Sequence, residues 1–236
     1  GDLLSGKKRE PSKLAVVATD DREMQEICLS ELVYENAVEL EIHTLVLSLN
    51  ASVASTVANI IRDHCVADSY KSVGSIYSLS GLEKIRTAPL WMCEYDPKRS
   101  EKDEVRSCLK EVEIIIQKHK NEHPKTSLVI IDACFRDLSK LAEISHFDFP
   151  DSISVWMSLT ARKLGVDIIL STDGSSLLLE DSEESDSTEQ EMLDGFYQHS
   201  DFLIFNEVEA DGLKVKLYKN RFGPTDEDLK PCHKYP

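Results

Sequence analysis

The sequence has no C-x-x-C pair, no apolar stretch of the ~18 residues a membrane-spanning helix needs, and far fewer basic than acidic residues. Each absence removes a class. The six cysteines (Cys28, Cys65, Cys93, Cys108, Cys134, Cys232) are scattered, several inside apolar runs where Cys acts as a small hydrophobe. That is the usage of a reducing compartment, not of a disulfide framework. The N-terminal stretch, with Lys7, Lys8 and Arg9, lacks the hydrophobic core of a secretory signal. The expectation is therefore a soluble intracellular protein, cytoplasmic or nuclear, with no membrane partner. Asn50-Ala-Ser52 then has no meaning as a glycosylation acceptor. With 27 basic residues against 43 acidic ones the formal net charge is −16, and a surface that negative repels phosphate backbones. DNA contact is disfavoured on that ground.

Catalytic constellations are missing too. There is no G-x-S-x-G elbow and no Cys–His arrangement with a recognisable context. His119 and His123 are spaced i, i+4 but sit at the fraying end of a helix without a third ligand in view, and Cys232-His233 has the same weakness. No metal is expected.

What is present is an α/β pattern, in a chain long enough for one sizeable core and with a composition (41% hydrophobic, 30% charged) that fits a globular domain. Its centre is Thr126 to Phe135. Leu128 to Ile131 is apolar at every position, as in a strand buried on both faces of a parallel sheet, and it ends on Asp132. An acid there stands where open α/β sheets hold ligands. It either binds Mg²⁺ beside a nucleotide, as a Walker-B-type aspartate does, or starts the next turn.

Residues 1–12 read as a flexible segment. Lys13–Thr19, His43–Leu49, Ala88–Tyr95 and Val166–Ser171 read as further strands. Helices are expected over Glu23–Tyr34, capped by Asp20-Asp21, with Met24, Ile27, Cys28 and Leu32 on one face. Others are expected over Ser52–His64, Glu101–Lys120 (stopped by His123-Pro124) and Ser152–Leu164 (stopped by Gly165). Tyr70–Ser80, rich in Ser and Gly, reads as irregular. Glu180–Glu191 is a strongly acidic run, a solvated loop or, less simply, a lure for a basic partner. Asp201–Val208 and Leu213–Tyr218, joined by a turn at Ala210-Asp211-Gly212, close the sheet as a β-hairpin. The reading is one domain over 13–225, with a tail over 226–236.

The ending Lys219-Asn-Arg-Phe-Gly-Pro-Thr225 resembles the signature that closes the RecA-type ATPase domain of DnaB-type replicative helicases, and a similar run occurs in RadA-like proteins. Upstream segments resemble that family in the required order: APLWMCEYD, TSLVIIDACFRDL, SVWMSLTARKLGVDIILST and HSDFLIFNEVE. KLAVVATDDREM resembles its strand carrying the catalytic glutamate; residues 35–87 have no counterpart. The resemblance implies a RecA-like, mostly parallel sheet flanked by helices, with a C-terminal hairpin. It also implies that Asp132 holds Mg²⁺ and that Lys219 and Arg221 reach across to a neighbouring subunit's nucleotide. The plainer reading of Lys219 and Arg221 is alternation on a hairpin strand, facing solvent.

The departures concern the phosphates. No G-x-x-x-x-G-K-[ST] loop follows a strand. GDLLSGKK at Gly1–Lys8 mimics the spacing without a preceding strand, and Asn50–Ser55, in a strand–turn–helix, has neither glycine nor lysine to close round a phosphate. The sensor strand ends Ser171-Thr172-Asp173 where glutamine is expected, and the base position falls at Asp21 or Glu23. The sequence thus points to a RecA-like domain with a degenerate ATP site and no cofactor. It would be a non-hydrolysing subunit or adaptor whose partner is a RecA-like ATPase or copies of itself, in a DNA replication or repair assembly. Two alternatives stand. One is an active ATP-dependent helicase or ATPase using Mg²⁺ and ATP, its phosphate loop upstream of residue 1 or unrecognised. The other is an α/β protein-interaction module unrelated to nucleic acid.

Overall fold

Leu128–Asp132 forms a strand in which all five residues are buried, as its unbroken apolar run requires. Around it a computed structural model describes residues 12–19, 22–49, 52–65, 79–95, 108–134, 138, 152–173, 195–209, 212–222 and 228–229. The strands are β1 (Leu14–Thr19), β2 (Thr44–Ser48), β3 (Leu90–Glu94), β4 (Leu128–Asp132), β5 (Asp167–Asp173), β6 (Phe202–Glu209), β7 (Gly212–Asn220) and β8 (Asp228–Leu229). They make one sheet in the order β3-β2-β4-β5-β1-β6-β7-β8. From β3 to β6 all pairings are parallel, and β7 and β8 close the edge antiparallel. The mostly parallel α/β sheet and its closing hairpin are as the sequence implied. β8 falls in the segment read as a tail. The acidic run 180–191, the segment 1–11, Val105 and the turn residues 210–211 lie outside the described residues.

Two helical layers cover the sheet, because strands apolar at every position must be buried on both faces. On one face α4 (Cys108–Glu122) and α5 (Ser152–Leu164) bring Leu109, Val112, Ile116, Ile153, Met157 and Ala161 against Leu45, Leu47, Val129, Ile131, Ile168 and Leu170. On the other, α1 (Arg22–Val33) and α2 (Val53–His64) bring Leu29, Val33 and Ile60 against Val46, Leu128 and Ile130. Gly165, at φ 61°, ends α5 in the left-handed conformation expected of a helix-stopping glycine.

Three local expectations need correction. Leu79 and Ser80, read as irregular, open helix α3 (Leu79–Thr87), in which a Cβ on Gly81 would lie 3.1 Å from Cys65 Sγ. The glycine that argued against a helix is there to let α3 approach α2. The first helix does not stop at Tyr34 but continues as a π-helix over Tyr34–Glu39, ended by Glu41 in the left-handed region at φ 52°. Its inward face is also not the predicted one. Gln25, Cys28, Leu29, Ser30 and Val33 are buried, while Met24, Ile27 and Leu32 are only half-buried.

Ile130 is fully buried at the centre of the sheet, whereas Ile114 on α4 is 55% exposed. Ile130→Ala is expected to cost roughly 2–5 kcal/mol in denaturant unfolding, and Ile114→Ala to stay within about 0.5 kcal/mol of the parent.

Candidate functional site at the carboxyl ends of the central strands

Strand alternation sets the site. The register pairs Ser48 of β2 with Asp132 of β4 and Asp132 with Ser171 of β5, so three polar side chains stand in one row at the carboxyl ends of neighbouring strands. Ile130 and Val46, two residues earlier on β4 and β2, face α1 and α2, and the polar row therefore faces α1. All three residues are buried.

Burying an ionised carboxyl is costly unless donors meet it, and Asp132 has three. The Ser48 hydroxyl donates to Oδ2 at 2.7 Å. The Gln25 amide donates to Oδ1 at 2.9 Å and also to the Ser171 carbonyl at 2.9 Å and the Ala133 carbonyl at 3.3 Å. Arg22, the first residue of α1, reaches Oδ1 at 3.4 Å and the Gln25 Oε1 at 3.0 Å, so it holds the amide in the orientation that donates to the acid. Burial pushes the Asp132 carboxyl up; the Ser48 hydroxyl and the Arg22 guanidinium pull it back. The Ser171 hydroxyl has no hydrogen-bond partner among the described residues.

Between Thr19 at the end of β1 and Arg22 at the start of α1 the chain has only Asp20 and Asp21. Asp21, one of the two positions considered for a base, lies outside the described residues; Glu23, the other, is exposed on the first turn of α1. The residue that α1 turns toward Asp132 is Gln25, which periodicity had hidden. The second stretch weighed for a phosphate loop, Asn50–Ser55, opens α2. There the Val53 N–H donates to the Glu94 carboxylate at 2.7 Å and the Ala54 N–H to the Ser52 hydroxyl at 3.2 Å. These are a helix end's own anion and cap.

Lys219 and Arg221 are not beside Asp132 in the same chain. Phe202, at the start of β6, pairs with Asn220, so the end of β7 lies at the amino-terminal rim of the parallel strands, whereas Asp132 is on the carboxyl-terminal rim. The Arg221 guanidinium donates to Asp201 Oδ1 at 2.8 Å, and Asp201 Oδ2 accepts the Leu14 N–H at 2.9 Å. The Lys219 ammonium donates to the carbonyls of Tyr197 and Gln198. Burial and the adjacent Arg221 push that ammonium down. His119 and His123 are close together, but no group of three or more His, Cys, Asp or Glu side chains fit to hold a metal ion occurs among the described residues.

No protein-family model matches the sequence, and no curated protein matches it. Solved structures do match. An ATPase domain of the DnaB-like helicase type superposes with a TM-score of 0.65 at 12% identity, over 90% of this chain and 78% of that one. A DnaB-like replicative helicase, determined with its interactions with primase, superposes with a TM-score of 0.61 at 12% identity. There the match covers 91% of this chain but only 55% of the other, so the chain spans about half of that helicase. The fold is the RecA-like fold of DnaB-type ATPase domains.

Two results are expected from the polar row. Ser48→Ala strips Oδ2 of its donor and should cost about 1–3 kcal/mol, while Ser171→Ala removes an unpartnered hydroxyl and should be neutral or better, both by denaturant titration. Arg22→Ala raises the Asp132 carboxyl further. The ionised acid is then the destabilised form, so the stability deficit of the variant is largest at neutral pH. It shrinks as the pH falls and the carboxyl takes up its proton, as parallel unfolding curves across pH will record.

Proposed function

We propose that the chain is a RecA-fold subunit that does not hydrolyse ATP and works through protein contacts in a DNA replication or repair assembly. The observation that carries the reading is the filling of the Asp132 position. In a working site this carboxylate would face a hydrated Mg²⁺ bridging the nucleotide's phosphates, cradled by main-chain N–H groups of a glycine-rich loop. Here Gln25 and Arg22 hold Oδ1, and Ser48 holds Oδ2. A two-residue Asp-Asp connection stands where α1 begins, with Glu23 in its first turn. Those charges repel phosphates where a helix end would otherwise attract them. The donors present suit a carboxylate held by the protein, not Mg²⁺–ATP.

The replication context is carried over from the structures of like fold, one a replicative helicase shown with primase. A partner is the other half of the reading: a RecA-like ATPase or a second copy. Arg221 stands on the rim opposite its own Asp132, so any nucleotide it serves belongs to a neighbour. Its Asp201 contact would have to open for that.

Titration of the purified chain with ATP by calorimetry, with and without Mg²⁺, tests inertness. The expected trace shows no micromolar heat in either buffer, and Mg²⁺-dependent micromolar binding would restore the active-ATPase reading. The partner half has its own measure. Arg221→Ala should lower the ATPase rate of a co-assembled RecA-fold enzyme, and a rate unchanged within error removes the trans role.

A further inference from the structure

Four aromatic rings meet at the amino-terminal rim of the sheet, away from Asp132. Trp91 of β3 lies 4.3 Å from His123, 5.1 Å from His119 and 5.7 Å from His43, centroid to centroid, and the His119 and His123 rings are 4.7 Å apart. All four residues are half-buried. Three of the chain's seven histidines thus gather on one of its two tryptophans.

The backbone makes this a junction. The His43 carbonyl accepts the Ser127 N–H at 3.1 Å and the Leu128 N–H at 3.3 Å, and the Thr44 N–H donates to the Pro89 carbonyl at 2.9 Å. The Thr126 N–H donates to the His123 carbonyl at 3.0 Å, and His119 Nε2 lies 3.1 Å from Thr126 Oγ1. The entries to β2, β3 and β4 all pass through the cluster.

One proton and two have opposite effects on such a pair. A single imidazolium against the Trp91 ring gains a cation–π contact. A second would set like charges 4.7 Å apart in a half-buried place. The other charged groups around the pair do not neutralise a second proton. Glu122, next to His123 on α4, favours protonation, but the Lys120 ammonium, also on α4, is held by the Thr126 and Gly165 carbonyls. His43 stands on Trp91 from the segment before β2, and Lys125 and Glu41, in the adjoining turn and segment, are exposed. Burial first, and then His123, hold His119 below its ordinary value of 6.5.

We propose that Trp91, His119 and His123 form a proton-operated latch on this rim, closed with at most one proton on the histidine pair and released by the second. The sign follows from linkage. His119 binds its proton less readily in the fold than in the unfolded chain. The stability it brings is therefore complete above the unfolded value of 6.5 and is lost as the pH falls through its lower, folded midpoint. On release the two rings part, Trp91 becomes wet, and the corner that carries α4 into β4 loosens. The latch requires nothing of Asp132, so it stands or falls apart from the function proposed above.

The test uses the full chain carrying Trp156→Phe, which leaves Trp91 as the sole tryptophan. Its emission is followed from about pH 7.5 to about pH 5, the window of histidine charging, alongside the histidine ring resonances. The expected result is a reversible red shift of Trp91 and a His119 midpoint below 6.5 that moves up in His123→Asn. A flat emission curve, or a His119 midpoint that His123→Asn leaves in place, overturns the latch. If His123→Asn does not fold, the parent decides. Two separated titration steps for His119 and His123 support the latch, and a single shared midpoint overturns it.

Discussion

The Gln25 amide is the contact on which the packing of the first helix turns. It spans the gap between α1 and the sheet, giving one proton to the Asp132 carboxylate and reaching the Ser171 carbonyl as well. A buried acid without donors would unfold this corner or lose its charge, so the roll of α1 about its own axis is fixed by that need. Once Gln25 points inward, helical geometry carries Cys28, Leu29 and Val33 inward too, at i+3, i+4 and i+8. Ser30 then turns to Asp63 of α2 at 3.2 Å, a second polar contact that joins the two helices on this face. Polar satisfaction, more than apolar area, decides which side of α1 meets the sheet.

This explains what could and could not be read from the residues. Leu128–Ile131, Leu45–Leu47 and Ile168–Leu170 were legible because a strand covered on both faces needs apolar side chains at every position, and few other local structures do. Helices α4 and α5 were legible from their stripes, which the core confirms at Leu109, Val112 and Ile116. The inward side of α1 was not, because its inner positions include Gln25 and Ser30 and an apolar stripe drawn through Met24 and Ile27 runs beside the true one. Ser48 and Gln25 were missed as partners of Asp132 for a related reason. They lie 84 and 107 residues away in the chain, and nothing local marks either. Helix α3 hid behind Gly81, a residue that opposes helix by propensity and is placed there by the nearness of Cys65.

The closing hairpin was legible from alternation and its turn, but the purpose of its cations was not. Lys219 follows the carbonyls at the end of the short helical stretch 195–199, and Arg221 follows Asp201. Both contacts require β6 and β7 to be paired in register and the 195–199 stretch to be docked, which no local pattern specifies. In one chain these cations and Asp132 stand on opposite rims of the sheet, so the family likeness that links them has meaning only between subunits.

The two ends of β1 obey the same rule. At its carboxyl end Asp132 is met by Ser48, Gln25 and Arg22; at its amino end Asp201, only 4% exposed, is met by the Leu14 N–H and by Arg221. Each buried acid is answered from elsewhere in the chain, and each answer ties an outer element to the central strands: α1 at one rim, the hairpin at the other. Exposed Phe222 packs beside Phe202 next to the Arg221 tie, under the Lys13 ammonium at 4.9 Å, so a contact that pulled Arg221 away would also disturb the end of β7. A neighbour that drew on Arg221 would therefore have to replace the acceptor that Asp201 provides. A phosphate or carboxylate presented at that rim could do so, since a guanidinium accepts either in the same bidentate geometry.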